Sequence, residues 1–190
     1  MGIKSFVTLR KDGESWADAA ARHTEALEYE ILDRGIRYLY LGQCSFGLED
    51  YDSAIKYFQK AIDSNLGKVK QEEAWRRLGD CYKVTEKTAE AIEAYMQAVE
   101  ILAPIIEKEK RETGGFPTKH SKYLAFSFRS IGQCAEKQGD YQLAANSYGV
   151  QLRLETDAGF IDRAKKDIAR CNNLLAGHGP RGGSPPGLAA

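Results

Sequence analysis

The chain has 190 residues, 43% apolar and 28% charged, long enough for one continuous core and balanced like a folded domain. Its 27 basic and 27 acidic residues cancel, which leaves no electrostatic footprint for a nucleic-acid backbone or an anionic membrane surface. No apolar run approaches the roughly 18 residues of a membrane span, and Phe6 stands where an N-myristoylation signal after Met1-Gly2 needs Ser or Thr.

Residues 1–14 are read as an extended segment. A first helix is predicted over 15–34, started by Asp12 or Ser15, carrying Trp16, Ala19, Ala20, His23, Leu27 and Ile31 on its apolar face, and ended by Gly35. His23 on that face is read as a packing histidine. From there a signature recurs, Leu or Ile, then Gly or Ala, then any residue, then Cys: Leu41 to Cys44, Leu78 to Cys81, Ile131 to Cys134 and Ile168 to Cys171. The cysteines fall 37, 53 and 37 residues apart, so a 37-residue unit repeats with one insertion of 16. A period in this range predicts a solenoid of stacked helix pairs.

The units are placed at 35–71, 72–108 and 125–161, with the insertion at 109–124. In each, a first helix carries Tyr38 and Leu41, Trp75 and Leu78, or Phe128 and Ile131 before its Gly. After a polar turn the second helix follows a small–aromatic–small pattern: Ala54, Phe58, Ala61; Ala91, Tyr95, Ala98; Ala144, Tyr148 and, as an exception, Gln151. Gly42, Gly79 and Gly132 cost helix propensity, up to about 1 kcal/mol each against Ala, which implies a close approach between the two helices of a pair. Pro104 is expected to interrupt the second helix of the second unit, with the run to Glu112 resuming as a charged extension; the insertion is either a solvated connector or offers Phe116 at its tip to a partner. Residues 162–176 repeat only the first-helix signature and are read as a capping helix, with Asp157 or Asp162 at its start. Residues 177–190, rich in Gly and Pro, are read as a disordered tail.

Equivalent cysteines in stacked units lie about 10 Å apart, too far for a disulfide, so four buried free thiols and a cytoplasmic location are expected. None of His23, His120 and His178 neighbours a cysteine at metal-ligand spacing, and no cofactor or metal is implied. No phosphate loop, zinc-protease helix or nucleophile elbow is present in the sequence, which argues against an enzyme.

The second unit, through Trp75, Leu78, Gly79, Tyr82, Ala91, Tyr95, Ala98 and Pro104, resembles the tetratricopeptide repeat (TPR) family. The first unit follows through Leu41, Gly42, Tyr51, Ala54, Phe58 and Ala61, and the third through Ile131, Gly132, Gly139, Asp140, Tyr141, Ala144 and Tyr148. This resemblance implies an all-α superhelix of antiparallel helix pairs that binds a protein or peptide along an inner wall made by the first helices. Transferred by phase, that wall is Ile36, Leu39, Tyr40, Gln43 and Phe46, then Glu73, Arg76, Arg77, Asp80 and Lys83, then Phe126, Arg129, Ser130, Gln133 and Glu136. Aromatic surface followed by Arg76, Arg77 and Arg129 suits a peptide with an apolar anchor and carboxylates. In the competing arrangement the N-terminal helix covers the apolar end and the arginines pair with Glu73 and Glu136. One subclass of the family clamps the C-terminal carboxylate of heat-shock chaperones with Lys, Asn and Arg; the matching positions here, Leu39, Gln43, Arg77, Phe126 and Ser130, keep none of them. Neither nucleic acid nor membrane is expected as a partner, and pairing of two copies through the N-terminal helix is left open.

Overall fold

The computed structural model describes residues 9–29, 34–64, 66–115 and 118–177, and all regular structure among them is helical. Eight helices follow in chain order: α1 (Trp16–Tyr29), α2 (Arg34–Gly47), α3 (Tyr51–Ile62), α4 (Lys68–Val84), α5 (Thr88–Thr113), α6 (Ser121–Gln138), α7 (Tyr141–Leu154) and α8 (Ala158–Gly177). Each packs on the next, and α2 also touches α4, so the first helices of successive pairs lie side by side. The expected segment before residue 9 and the expected tail from 178 lie outside the described residues, as does Phe116.

The pairs are held at three equivalent seats. A Cβ built on Gly42 would stand 2.6 Å from the Phe58 ring, on Gly79 2.8 Å from Tyr95, and on Gly132 2.7 Å from Tyr148. All three rings are fully buried. The bare glycine thus sets the separation within each pair, and the ring fills the space that a side chain would take. The turn joining each pair puts one residue in the left-handed region at the same place, Glu49 (φ 62°), Glu86 (φ 61°) and Gly139 (φ 78°). Only the third has the residue type that adopts this φ without cost. Asp50 and Asp140 then cap α3 and α7 by accepting from the backbone N–H of Ser53 and Leu143.

Pro104 does not interrupt its helix. α5 runs through it to Thr113 and ends on Gly114 at φ 70°. The ring faces solvent, and Leu102 and Ile106 on either side are buried against Leu124, so packing on α6 holds both flanks in helical register. Beyond the point where α3 would have stopped, α5 continues for about four further turns. Its Glu109 then accepts from the His120 backbone N–H (3.3 Å) and meets the His120 imidazole Nδ1 (2.5 Å), which ties the insertion back to the start of α6.

At the far end α8 begins at Ala158, capped by Asp157, whose carboxylate accepts from the N–H groups of Gly159 and Phe160. Cys171 joins Ala135, Ala144, Ala145 and Tyr148 in one cluster, with Ile168 packed against it. The four cysteines are free and buried. Burial pushes the thiols of Cys44 and Cys171 up to about 11 and that of Cys81 up to about 12, which leaves them protonated and unreactive at neutral pH.

At the near end Ser15 starts α1, accepting from the Asp18 N–H. Gly35 does not end this helix; it lies in the first turn of α2, where Ser64 and Leu66 pack against its bare Cα. Ala19, His23 and Ala26 repeat the small–aromatic–small spacing, with His23 in the ring's position and fully buried. Among the described residues no preceding first helix meets it. Instead, His23 Nε2 lies 2.8 Å from the Leu9 carbonyl and Nδ1 3.2 Å from an Arg37 guanidinium nitrogen. Because arginine only donates, Nδ1 accepts and Nε2 carries the proton. Burial and the positive neighbours Arg22 and Arg37 hold this imidazole below its ordinary pKa of 6.5, against the opposing pull of the Leu9 carbonyl and Glu14. The unfolded chain therefore takes up a proton that the folded cap refuses. The His23 contribution is fully present above pH 6.5 and is lost as pH falls toward the depressed folded value, by up to about 1.4 kcal/mol per pH unit. Hydrogen exchange of α1 amides should show weaker protection at pH 5 than at pH 7, and His23→Gln should remove that difference.

Candidate functional site

Three polar bridges link the first helices of successive pairs, the second and third of them in the same repeat register. Gln43 on α2 donates to Glu73 on α4 (2.9 Å), Lys83 on α4 donates to Gln133 on α6 (2.5 Å), and Arg170 on α8 donates twice to Glu136 on α6 (2.9 and 2.8 Å). These bridges run across the wall that phase alone assigns to ligand binding.

The wall residues divide into those with free surface and those without. Leu39 is fully buried, in one cluster with Ala54, Phe58 and Ala74, and presents no surface to a ligand. Ser130 is buried as well. Arg76 is buried and bonded through Nε to Glu72 (3.0 Å), while its guanidinium lies 5.2 Å from the Tyr123 ring centre and 5.7 Å from that of Phe126. Tyr40 is half-buried with the Lys70 ammonium 5.7 Å from its ring, and Phe46 stands edge-on to Tyr51. Phe126 meets Tyr95 edge-on at 6.4 Å. Arg129 is held between two aromatic faces, 5.2 Å from Phe126 and 4.9 Å from Phe160 on α8, and among the described residues no carboxylate pairs with it.

Neither Glu73 nor Glu136 takes a wall arginine. Glu73 bonds Lys70 and Gln43, and these contacts outweigh its burial and hold its carboxyl below the ordinary range. Glu136 bonds Arg170 and the Tyr148 hydroxyl, and Arg170 above all holds its carboxyl down. Burial lowers the Lys83 ammonium below its ordinary value.

Part of the wall is concave. A cleft of about 230 Å³ is lined by Leu9, Trp16, Gln43, Phe46, Gly47, Phe58 and Arg77. Leu9 and Trp16 come from the N-terminal segment and form one side without filling the space. Gly47 is the seat for the indole, since a Cβ there would stand 2.7 Å from Trp16. Arg77 supplies the charge. Among the described residues its only carboxylate is Asp80 at 3.4 Å, a long contact, and Asp80 already accepts from the Tyr95 hydroxyl at 2.7 Å. Arg77 Nε is shielded from solvent and has no hydrogen-bond partner among the described residues. The cleft therefore joins apolar surface to an incompletely satisfied guanidinium.

Gln43, Phe46 and Arg77 are the sequence-predicted residues that meet in this cleft, whereas Arg129, Phe126 and Gln133 stand further along the wall. Leu9, Trp16, Gly47 and Phe160 were not predicted. They lie outside the repeated pattern or, like Gly47, acquire meaning only from a partner outside it. Among the described residues no three His, Cys, Asp or Glu side chains are grouped as metal ligands, and no helix is long and apolar enough to cross a membrane.

Residues 33–103 match the family model described as Tetratricopeptide repeat. No curated protein matches the chain. Among solved structures the fold is similar to the N-terminal domain of stress-induced protein-1 (STI-1) from C. elegans, with 22% identity, 71% of this chain and 94% of that one covered, and a TM-score of 0.56. It is similar to the first TPR of Spaghetti (RPAP3) bound to HSP90 peptide SRMEEVD, with 17% identity, coverage of 76% and 94%, and a TM-score of 0.56. It is also similar to YrrB, described as a TPR protein with an unusual peptide-binding site, with 18% identity, coverage of 80% and 66%, and a TM-score of 0.59. The first two helix pairs, within residues 33–103, match tetratricopeptide repeats by sequence, and the third pair carries the same glycine and ring seat in the fold.

Proposed function

We propose that this protein is a non-catalytic protein–protein interaction module, an adaptor or scaffold that holds a peptide segment of a partner on its inner wall. The apolar anchor of that segment enters the cleft between Trp16, Phe46 and Phe58, and a carboxylate is taken by Arg77. Arg129, set between Phe126 and Phe160, is a second carboxylate contact further along. The observation that carries the reading is the solvent-shielded Nε of Arg77 beside an apolar cleft, because an unsatisfied guanidinium next to apolar surface favours a ligand that supplies both an anion and a side chain to bury. The peptide held by the Spaghetti domain carries acidic residues, which agrees with this chemistry. A chaperone-adaptor role has less support, since none of the five clamp positions carries the expected residue and Leu39 and Ser130 are buried.

The test is a peptide array varied independently in apolar and acidic content, followed by titration of the best binder. Peptides that combine both features should bind best. Arg77→Ala should weaken the best one by about 1.5–3 kcal/mol, roughly ten- to hundredfold. Unchanged affinity in both Arg77→Ala and Arg129→Ala would reject the groove.

A further inference from the structure

On the face opposite the inner wall, α3 and α5 each pack against α4. Between them lies a cleft of about 450 Å³, larger than the one on the wall. Trp75, Leu78 and Tyr82 of α4, with Ile62 and Ala94, make its floor; Asp63, Glu90 and Glu93 stand around it, and Gln59 completes the lining. The lining holds three carboxylates and no Lys, Arg or His. Among the described residues none of the three carboxylates has an ion pair or a side-chain hydrogen bond. The Tyr82 hydroxyl, which accepts from Gln59 at 3.4 Å, is raised above its ordinary pKa by burial, and the negative charges of Glu90 and Glu93 act in the same direction.

The next junction is a control within the same molecule. Shifted by the repeat, Glu90 becomes Leu143, Glu93 becomes Asn146, Tyr82 becomes Ala135 and Gln59 becomes Met96. There Leu143 packs onto the cluster of Ala91, Tyr95, Ile131 and Cys134, so the place held open by Glu90 is filled by an apolar side chain. The stack therefore does not require an acidic opening at this height.

The geometry points to a second binding site on this outer face, for a partner segment that presents Lys or Arg beside an aliphatic residue. The aliphatic stem of the cation lies along Trp75 and Tyr82, its charged end reaches Glu90, Glu93 or Asp63, and the neighbouring aliphatic side chain covers Ile62 and Ala94. The site is independent of the inner wall and selects the opposite charge, so one copy of the chain bridges a basic segment on one face and an acidic one on the other.

The probe is a labelled peptide blocked at both ends, acetyl-Gly-Leu-Arg-Leu-Lys-Gly-amide, which carries no carboxylate for Arg77. Binding is followed by fluorescence anisotropy. Saturable binding is expected, and it should weaken by about tenfold or more both in Glu90→Leu and in the pair Glu90→Gln, Glu93→Gln. These exposed positions leave the fold intact, which circular dichroism checks, and Arg77→Ala should bind the probe as the unaltered chain does. The counterpart peptide with Glu and Asp in place of Arg and Lys should bind about tenfold more weakly or worse. No saturable binding, a smaller loss in those variants, or equal binding of the acidic peptide overturns the site. A dimer that Glu90→Leu dissolves, without peptide binding, overturns it in favour of a second copy of the chain. Failure of the inner-wall reading would leave these outcomes unchanged.

Discussion

Tyr95→Ala is expected to lower the free energy of unfolding by about 3–5 kcal/mol, the range for removing a buried ring from a packed core. The ring is fully buried, closes the seat over Gly79, and carries a hydroxyl that donates to Asp80 at 2.7 Å. Neighbouring helices cannot collapse into the space, because the same α4 and α5 surfaces are fixed on their other sides by α3 and α6. The matching test runs from the glycine side. In Gly79→Ala the new methyl would stand 2.8 Å from the ring, and because ring and backbone are both enclosed the pair must separate, at a cost of about 1–3 kcal/mol. Gly149→Ala, also within a helix but with nothing within 4 Å of the new Cβ, should instead raise stability by up to about 1 kcal/mol through helix propensity. Urea denaturation of the three variants reads both the size and the sign. Equal effects of the two glycine substitutions would show that helix propensity, not the seat, explains Gly79.

The seats were legible because each is a pattern within one hairpin: glycine and ring sit 16 residues apart in all three units. Depth was less legible. Phase puts Leu39 on the inner wall, but Ala74 of the next pair, with Ala54 and Phe58, buries it completely, and a neighbour's side-chain size is not written in the helix that carries Leu39. The competing arrangement, wall arginines paired with Glu73 and Glu136, is not the one adopted: Arg76 bonds Glu72 four residues back and Arg77 meets Asp80 three residues on, while Glu73 is taken by Lys70 and Gln43 and Glu136 by Arg170. The local effect of Pro104 is to interrupt a helix, but the long-range contact of Leu102 and Ile106 with Leu124 outweighs it. Leu9 and Trp16 had no counterpart in the repeat from which a position could be transferred.

Removal of everything from Ala158 onward should unfold more than α8. A helix pair of 37 residues contributes only about 2–5 kcal/mol if stability is spread evenly along the chain. The deletion strips Cys171 and Ile168 from the terminal cluster and exposes Tyr148, Ala144 and Ala145, all now buried. Two large side chains returned to water cost about 3–6 kcal/mol, which equals or exceeds the whole stability of the terminal pair. Arg170 goes with them, and Glu136 and the Tyr148 hydroxyl lose the ion pair that holds them at the edge of α6. Because each pair contacts chiefly its neighbours, the loss should stop inward of α6 and α7. Helical ellipticity should therefore fall by more than the share of α8, and hydrogen exchange should show α6 and α7 unprotected while α2, α3 and α4 keep their protection. Undiminished protection of α6 and α7 would mean that the third pair stands without its cap and that α8 is an appendage. Loss across all helices would mean that the stack unfolds as one unit, and that the contacts through α5, whose long extension reaches α6, couple the ends more strongly than neighbour packing alone.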